Sequence, residues 1–302
     1  MVDRIEEFNQ RMNLMINEIR DPFPEFVYHY TSTRALISIL KTKNLWATHS
    51  KFLNDPNEIS SPFGDFGNRV FSALERYREQ YKMYISKEIP DQFPPKVFFT
   101  SFTIESDSQI IWRQYGKSDG YNLKMNVRTL EETAKTSIVK KHFGDKVEEC
   151  EIVKTAMFLP VIYEKNKQEK IIDFFVREIV KNTESVEEIG DSNFNKLQSH
   201  VMRQAISQLV SFKDESYKHE QEYRLVFILT NPDLAEDYYD REGIICPYIE
   251  YSIDGGLPIE GVTVGPKIND EIAIYGLRRI ASKYGWELNE GDIFESKVKI
   301  RF

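Results

Sequence analysis

The chain has 302 residues, 41% hydrophobic and 13% aromatic, enough apolar mass for a sizeable core in one large domain or two small ones. Its 40 Lys and Arg against 48 Asp and Glu leave a formal charge of −8, which excludes a general attraction to nucleic acid or anionic membrane while leaving local basic clefts open. Cys150 and Cys246 are too few for a disulfide framework or a four-thiolate zinc site, and no run approaches the roughly 20 apolar residues of a membrane span or the apolar core of a signal peptide, so a cytoplasmic location is expected.

Residues 4–20 read as an amphipathic helix with Ile5, Phe8, Met12, Met15 and Ile16 on one side, ended by Asp21-Pro22-Phe23-Pro24. Phe26 to Thr31 is rich in aromatic and β-branched residues and reads as a strand. Thr31 or Ser32 then caps a helix in which Leu36, Ile37, Ile39 and Leu40 recur at helical spacing. After a turn at Lys43-Asn44 a second strand runs from Leu45 to Thr48, and Phe52 to Glu58 is a polar turn flanked by large apolar residues. A helix is expected from about 66 to 86, then a break at Pro90 to Pro95. Val97 to Thr103 follows as a nearly continuous apolar strand suited to the middle of a sheet.

Asp107 or Ser108 caps a short helix over Gln109 to Gly116, and Gly120 to Val127 alternates as a strand. Further strands are expected at Lys146 to Val153 and Met157 to Tyr163. Between them and the next strand, Glu222 to Leu229, lie the long helical patterns Ile171 to Asn182 and Phe194 to Leu209. A strand at Gly261 to Gly265, a helix at Asp270 to Tyr284 and a terminal strand at Lys297 to Phe302 close the chain. The expected organisation is one α+β domain over 1–302 with a helical insertion at 166–210.

The familiar chemical signatures are missing. There is no His-Glu-x-x-His and no paired Cys-x-x-Cys, and the histidines are scattered at 29, 49, 142, 200 and 219, so no metal is expected. Gly-x-Gly-x-x-Gly, a phosphate loop and Gly-x-Ser-x-Gly are absent as well. Four segments remain. The first is Tyr28 to Ser32, which carries His29 out of a strand into a capped helix. The second is Asn54-Asp55-Pro56 with Glu58, equally readable as a turn whose polar side chains bond their own backbone. The third is Ser101 followed by Trp112, Tyr115 and Gly120, the two aromatics being more often core than ligand platform at that spacing. The fourth is Glu220 to Arg224. Two carboxylates at i and i+2 on an extended chain share a face. Glu220 reads as a solvated strand edge, whereas Glu222 stands where burial begins and an ionised group needs a partner or a role.

In this order the segments resemble a bacterial family filed as domain of unknown function 2971, whose pattern runs Tyr-[Lys/His]-Tyr-Thr, Asn-Asp-Pro-x-Glu, Ser-Phe, Trp-x-x-Tyr with Gly, and Glu-x-Glu-[Trp/Tyr]-Arg. The likeness spans roughly 26–270 with 166–210 unmatched. A more distant similarity is to ADP-ribosyltransferases, which implies a mixed, mainly antiparallel central sheet flanked by helices, and NAD as substrate. On that similarity His29 binds the nicotinamide-side ribose, the backbone of Tyr30 meets the carboxamide, Thr31 or Ser32 supports the turn, and Trp46, Tyr115 or Trp112 stacks on nicotinamide. Ser101 and Arg224 complete the pocket, and Glu222 holds the ribose hydroxyl and stabilises the oxocarbenium-like charge. Tyr30 stands where that family often has a small glycine.

The resemblance therefore implies an NAD-consuming enzyme, a toxin or antiviral effector acting on a macromolecular acceptor. Two other readings use the same residues: a nucleotide-binding sensor without turnover, and a metal-dependent nuclease built on Asp55, Glu58 and Glu222, which the acidic charge disfavours. The enzyme reading requires the His29 ring and the Glu222 carboxylate to lie within about 12 Å.

Overall fold

The protein is described from a computed structural model that covers residues 2–298 apart from 56, 78–96, 117–119, 135–137, 144–145, 151–152, 230–235, 254 and 267–268. In chain order the first elements are α1 (Val2–Ile19), β1 (Phe26–Ser32), α2 (Thr33–Thr42), β2 (Asn44–His49), α3 (Ser60–Leu74), β3 (Val97–Thr103), α4 (Gln109–Ile111) and β4 (Gly120–Asn126). Then come α5 (Val127–Ala134), β5 (Ile138–Phe143), β6 (Lys146–Cys150), β7 (Val153–Pro160), α6 (Lys165–Glu184), α7 (Val186–Ile189) and α8 (Asp191–Leu209). The chain closes with β8 (Glu222–Leu229), β9 (Glu236–Arg241), β10 (Ile244–Ser252), β11 (Ile259–Val264), α9 (Asp270–Lys283) and β12 (Ile293–Glu295).

These elements divide into two compact units. One, made of 1–22, 51–95 and 160–218, is helical. Phe8 of α1 packs against Phe174 and Phe175 of α6 and edge-on to His200 of α8, and Arg11 donates to both oxygens of the Glu178 carboxylate at 2.9 and 2.7 Å. The segment 166–210 thus shares its core with α1 rather than standing alone. The expected helix at 66–86 begins earlier, at Ser60, and its second half lies outside the described residues, as does the expected break at Pro90 to Pro95.

The other unit, 23–50, 96–159 and 219–302, contains the sheet, so the fold is α+β. Twelve described strands join in the order β12-β11-β4-β1-β3-β2-β10-β5-β6, with β8 on β3, β7 on β8 and β9 on β10; of the pairs with a described register only β11–β12 is parallel. One face buries Val27, Leu45, Ala47, Phe98, Phe102, Leu123, Leu225, Phe227, Ile249 and Tyr251 against α2, which contributes Leu40, and α9. Helix α2 starts as its sequence dictates: Ser32 Oγ accepts the amide of Ala35 at 3.3 Å.

The sheet departs from expectation in several places, beginning with β5 (Ile138–Phe143), a strand not expected from the sequence. The hairpin β9–β10 was not foreseen in Glu236 to Ser252, where an acidic run and Pro247 mask the strand pattern. The C-terminal strand is Ile293–Glu295, Lys297 and Val298 are not in a strand, and 299–302 lie outside the described residues.

The central strand β3 is what positions a site. Along one edge it pairs over its whole length with β8, from Val97↔Ile228 to Thr103↔Glu222. Along the other, β1 reaches it at Tyr28↔Thr103 and β2 at Thr48↔Phe99 and His49↔Phe98. Between those contacts β1 and β2 splay apart, leaving a fork at Thr100, Ser101 and Phe102. Ser101 is the one exposed residue of a strand that is otherwise buried.

Candidate functional site

At the fork, side chains take over bonds that a continuous sheet would give to backbone. His29, on β1, places Nδ1 2.9 Å from the carbonyl oxygen of Ser101, and Thr100 Oγ1 donates to the carbonyl of Trp46 at 2.9 Å while accepting from Tyr251 Oη at 2.9 Å. A carbonyl only accepts, so Nδ1 carries the proton and Nε2 presents a lone pair. Burial lowers the His29 pKa below its ordinary 6.5, more than the Ser101 carbonyl raises it, so the ring is neutral at pH 7.

That shift has a sign that can be measured. With the folded pKa depressed, the unfolded chain takes up the proton first, so stability is intact above pH 6.5 and drains as pH falls from 6.5 through the folded value. His29→Gln is expected to flatten this part of the profile of melting temperature against pH; an unchanged slope would refute a lowered His29 pKa.

Glu222 and Arg224 occupy the same face of β8, two residues apart. Arg224 is 0% exposed and donates from Nε to Glu222 Oε1 at 2.9 Å and from Nη2 to Oε2 at 2.8 Å, with its guanidinium 4.9 Å from the Phe99 ring. Ser101, in register with Arg224, donates from Oγ to Glu222 Oε1 at 2.6 Å. A carboxylate so held has little freedom to move. His29 and Glu222 meet on one residue, one bonding its carbonyl and the other its hydroxyl, so ring and carboxylate lie within roughly 10 Å of each other.

The expected pairing of Glu220 with Glu222 on one face does not occur. Glu220 ends a short 3₁₀ turn (Glu215–Glu220), and Gln221 then takes a left-handed φ of 44°, which breaks the two-residue alternation before β8 begins. Arg224 takes the same-face place. Glu220 is buried rather than solvated, and its Oε1 accepts from Tyr115 Oη at 3.0 Å.

The aromatic candidates divide. Trp112 is 1% exposed, packs edge-on to Tyr30 at 4.5 Å and donates from Nε1 to Asp107 Oδ1 at 2.7 Å, so it is core and offers no open face to a ligand. Asp107 also binds Ser296 Oγ at 2.6 Å and the Lys297 amide at 2.7 Å, tying the C-terminal segment to Trp112; the sequence marked Asp107 as a helix cap alone. The Tyr30 backbone pairs with Asn122 of β4, and its hydroxyl donates to the Glu105 carbonyl. Thr31 is buried and Ser32 caps α2. Trp46 and Tyr115 are the exposed candidates, at 40% and 36%. Trp46 stacks on Tyr248 at 4.1 Å, with Tyr239 beside both; neither tyrosine was singled out in the sequence.

Asn54, Asp55 and Glu58 belong to the helical unit. Asp55 Oδ1 accepts the amide of Asn57 at 2.8 Å, the local turn bond that Asn-Asp-Pro favours. Glu58 is buried 3.9 Å from the Lys213 ammonium and lines, with Asp55, a cavity of 460 Å³. Among the described residues no three His, Cys, Asp or Glu side chains lie close enough to share a metal ion, and no helix is long and apolar enough to cross a membrane.

Fold and site together define an α+β protein whose open, mainly antiparallel sheet forks at an exposed serine backed by a buried carboxylate–guanidinium pair. Residues 111–225 match the model of a family described as protein of unknown function (DUF2971). The matched stretch includes 166–210, against expectation, and does not extend to Tyr28–Ser32, Asn54–Glu58 or Ser101. No curated protein and no solved structure matches the chain.

Proposed function

We propose that the sheet unit is an NAD-consuming active site of ADP-ribosyltransferase type, releasing nicotinamide and passing ADP-ribose to a macromolecule or to water. The observation that carries this reading is the meeting of an early-strand histidine and a late-strand carboxylate on Ser101. Of the partners described for Glu222, the Ser101 hydroxyl stands on an exposed residue whereas Arg224 is fully buried. A ribose hydroxyl can replace Ser101 Oγ on Oε1 with the same O–H···O geometry, while His29 Nε2 accepts from the neighbouring hydroxyl. The C1′–N bond of NAD then breaks with its electron pair leaving on nicotinamide. Glu222 stabilises the positive charge spread over the ribose, and the acceptor or water adds at C1′ and gives up its proton. Trp46 is the exposed ring placed to stack on a planar group.

One observation favours a second reading, a nucleotide sensor without turnover: both oxygens of Glu222 are already bonded by Arg224, as in a purely structural pair. Incubation of the purified protein with NAD, beside His29→Ala and Glu222→Ala, separates the two. Nicotinamide release by the wild type and its loss in both variants is expected. NAD binding without release would establish the sensor, and release undiminished in either variant would overturn the site.

A further inference from the structure

We infer that the 460 Å³ cavity of the helical unit is a binding site for a small aliphatic diamine. Its floor is built where two distant segments are clasped together. Ile162 and Phe212 form an isolated parallel bridge, in which Ile162 donates its amide to the Ser211 carbonyl at 2.8 Å and accepts the Lys213 amide at 3.2 Å. Gln168, near the start of α6, reaches into this junction, and its Nε2 donates to the Ile162 carbonyl at 2.7 Å and to the Lys213 carbonyl at 3.0 Å. Carbonyls only accept, so the nitrogen is the atom that faces them and the orientation of the amide is fixed. Both of its donors are spent. Gln168 is 8% exposed and lines the cavity, and among the described residues nothing bonds its remaining polar atom, the acceptor Oε1. A buried oxygen in that state is costly, and a ligand that brings a donor relieves the cost.

Charge fixes the sign of that ligand. The cavity is lined by the carboxylates of Asp55, Glu58, Asp65 and Asp214 against the ammonium groups of Lys165 and Lys213. Two of the carboxylates already face cations, Asp65 at 3.1 Å from Arg69 and Glu58 at 3.9 Å from Lys213. The other two stand nearer the surface, and each spends Oδ1 on a local turn: Asp55 on the Asn57 amide, Asp214 on the amide and hydroxyl of Ser216. Their Oδ2 atoms take no bond among the described residues. The wall thus offers one acceptor on the floor and two charged ones at the rim, against the single exposed ammonium of Lys165. A diamine answers both levels, one ammonium donating to Gln168 and the other to the rim, with its methylenes along Ile172 and Phe212. An anion or the carboxylate end of a zwitterion would instead be set against the rim acids. The inference is independent of the NAD reading, since it uses no residue to which that chemistry is given.

The probe is 1,4-diaminobutane, titrated into the full chain by calorimetry and followed as a rise in melting temperature, beside butylamine, leucine and butyrate. Saturable binding of the diamine is expected, with butylamine weaker and no binding of leucine or butyrate at the same concentrations. Asp55→Asn/Asp214→Asn keeps the turn-forming oxygens and removes two charges, and it is expected to weaken the diamine about tenfold or more while melting with the wild type. Gln168→Lys keeps a donor for the two carbonyls but puts an ammonium in place of the acceptor, so it should bind no diamine. If that variant fails to fold, the aspartate pair still decides. Glu6→Gln/Glu18→Gln removes two exposed carboxylates from α1 of the same unit and should leave the affinity unchanged. Equal weakening in this control would mean non-specific attraction to an acidic chain and would overturn the inference. So would butyrate or leucine binding as tightly as the diamine, undiminished binding in the aspartate variant, or no binding up to about 5 mM diamine.

Discussion

Glu222→Ala is expected to abolish nicotinamide release and to cost about 3–5 kcal/mol of folding stability, because it removes from a fully desolvated guanidinium the carboxylate that both Nε and Nη2 bond. Arg224 is 0% exposed and directs two donors at Glu222, so no solvent can take the place of the lost carboxylate. Loss of activity in that variant would by itself be ambiguous between chemistry and unfolding. The double variant Glu222→Leu/Arg224→Met removes both charges at similar volume, and replacing a buried pair by packed apolar side chains is often neutral. It should therefore recover most of the urea midpoint at an unchanged slope while remaining inactive. If the double variant still releases nicotinamide, Glu222 has no catalytic part. A cost below about 1 kcal/mol for Glu222→Ala would instead mean that the pair is solvated, as exposed ion pairs are.

What the sequence made legible is what is local. The path from strand to Ser32 cap to α2 rests on residues within a few positions of one another, and the structure holds it with the Ser32–Ala35 bond. Val97 to Thr103 reads as an interior strand from its apolar run alone, and so it is. The fork at Ser101 is not local. It depends on where β1 and β2, both far from β3 in sequence, stop pairing with it, and no residue near Ser101 encodes that. His29 could be singled out as a polar group leaving a strand, but its partner is a carbonyl 72 residues away.

The misreading at Glu220 has a compact cause. Alternation carries a side chain's face along a strand only while the backbone stays extended, and the left-handed Gln221 ends that rule one residue before β8. Trp112 and Tyr115 show the same limit on a short helix. Spacing placed them together, whereas burial separates them, one donating to Asp107 inside and the other reaching Glu220 from a half-open position. The β9–β10 hairpin escaped notice because an acidic run and Pro247 interrupt its pattern, and because Tyr238, Ile244 and Ile245 towards its tip are exposed, while it joins the hydrophobic core farther along β10, at Ile249 and Tyr251.

Gly265→Ala is the second substitution expected to act strongly, at about 3 kcal/mol, the upper range for forcing atoms into a packed core. Gly265 donates its amide to the Gly120 carbonyl at 3.0 Å, and a Cβ there would stand closer to that same oxygen than real Cβ atoms approach anything, with Trp112 at 3.1 Å on the other side. Gly120 is itself pressed against the Gly116 carbonyl, 2.6 Å from where its Cβ would be. Three glycines thus let three backbone segments close around one indole. The obstacle at Gly265 is mainly backbone, so no rotamer change relieves it, and the gain of a few tenths of a kcal/mol from a stiffer unfolded chain is too small to offset it. Because Trp112 anchors Asp107, and Asp107 anchors Ser296 and Lys297, displacement of the indole should also loosen the C-terminal segment, visible as faster amide exchange at Lys297. Gly276→Ala is the control. It lies within α9 with nothing within 4 Å of an added Cβ, so helix propensity alone predicts a gain of up to about 1 kcal/mol. Urea midpoints that move in opposite directions for the two alanines would attribute the loss at Gly265 to close approach; midpoints that both rise would mean that β11 and β4 do not meet at Gly120 as tightly as this geometry requires.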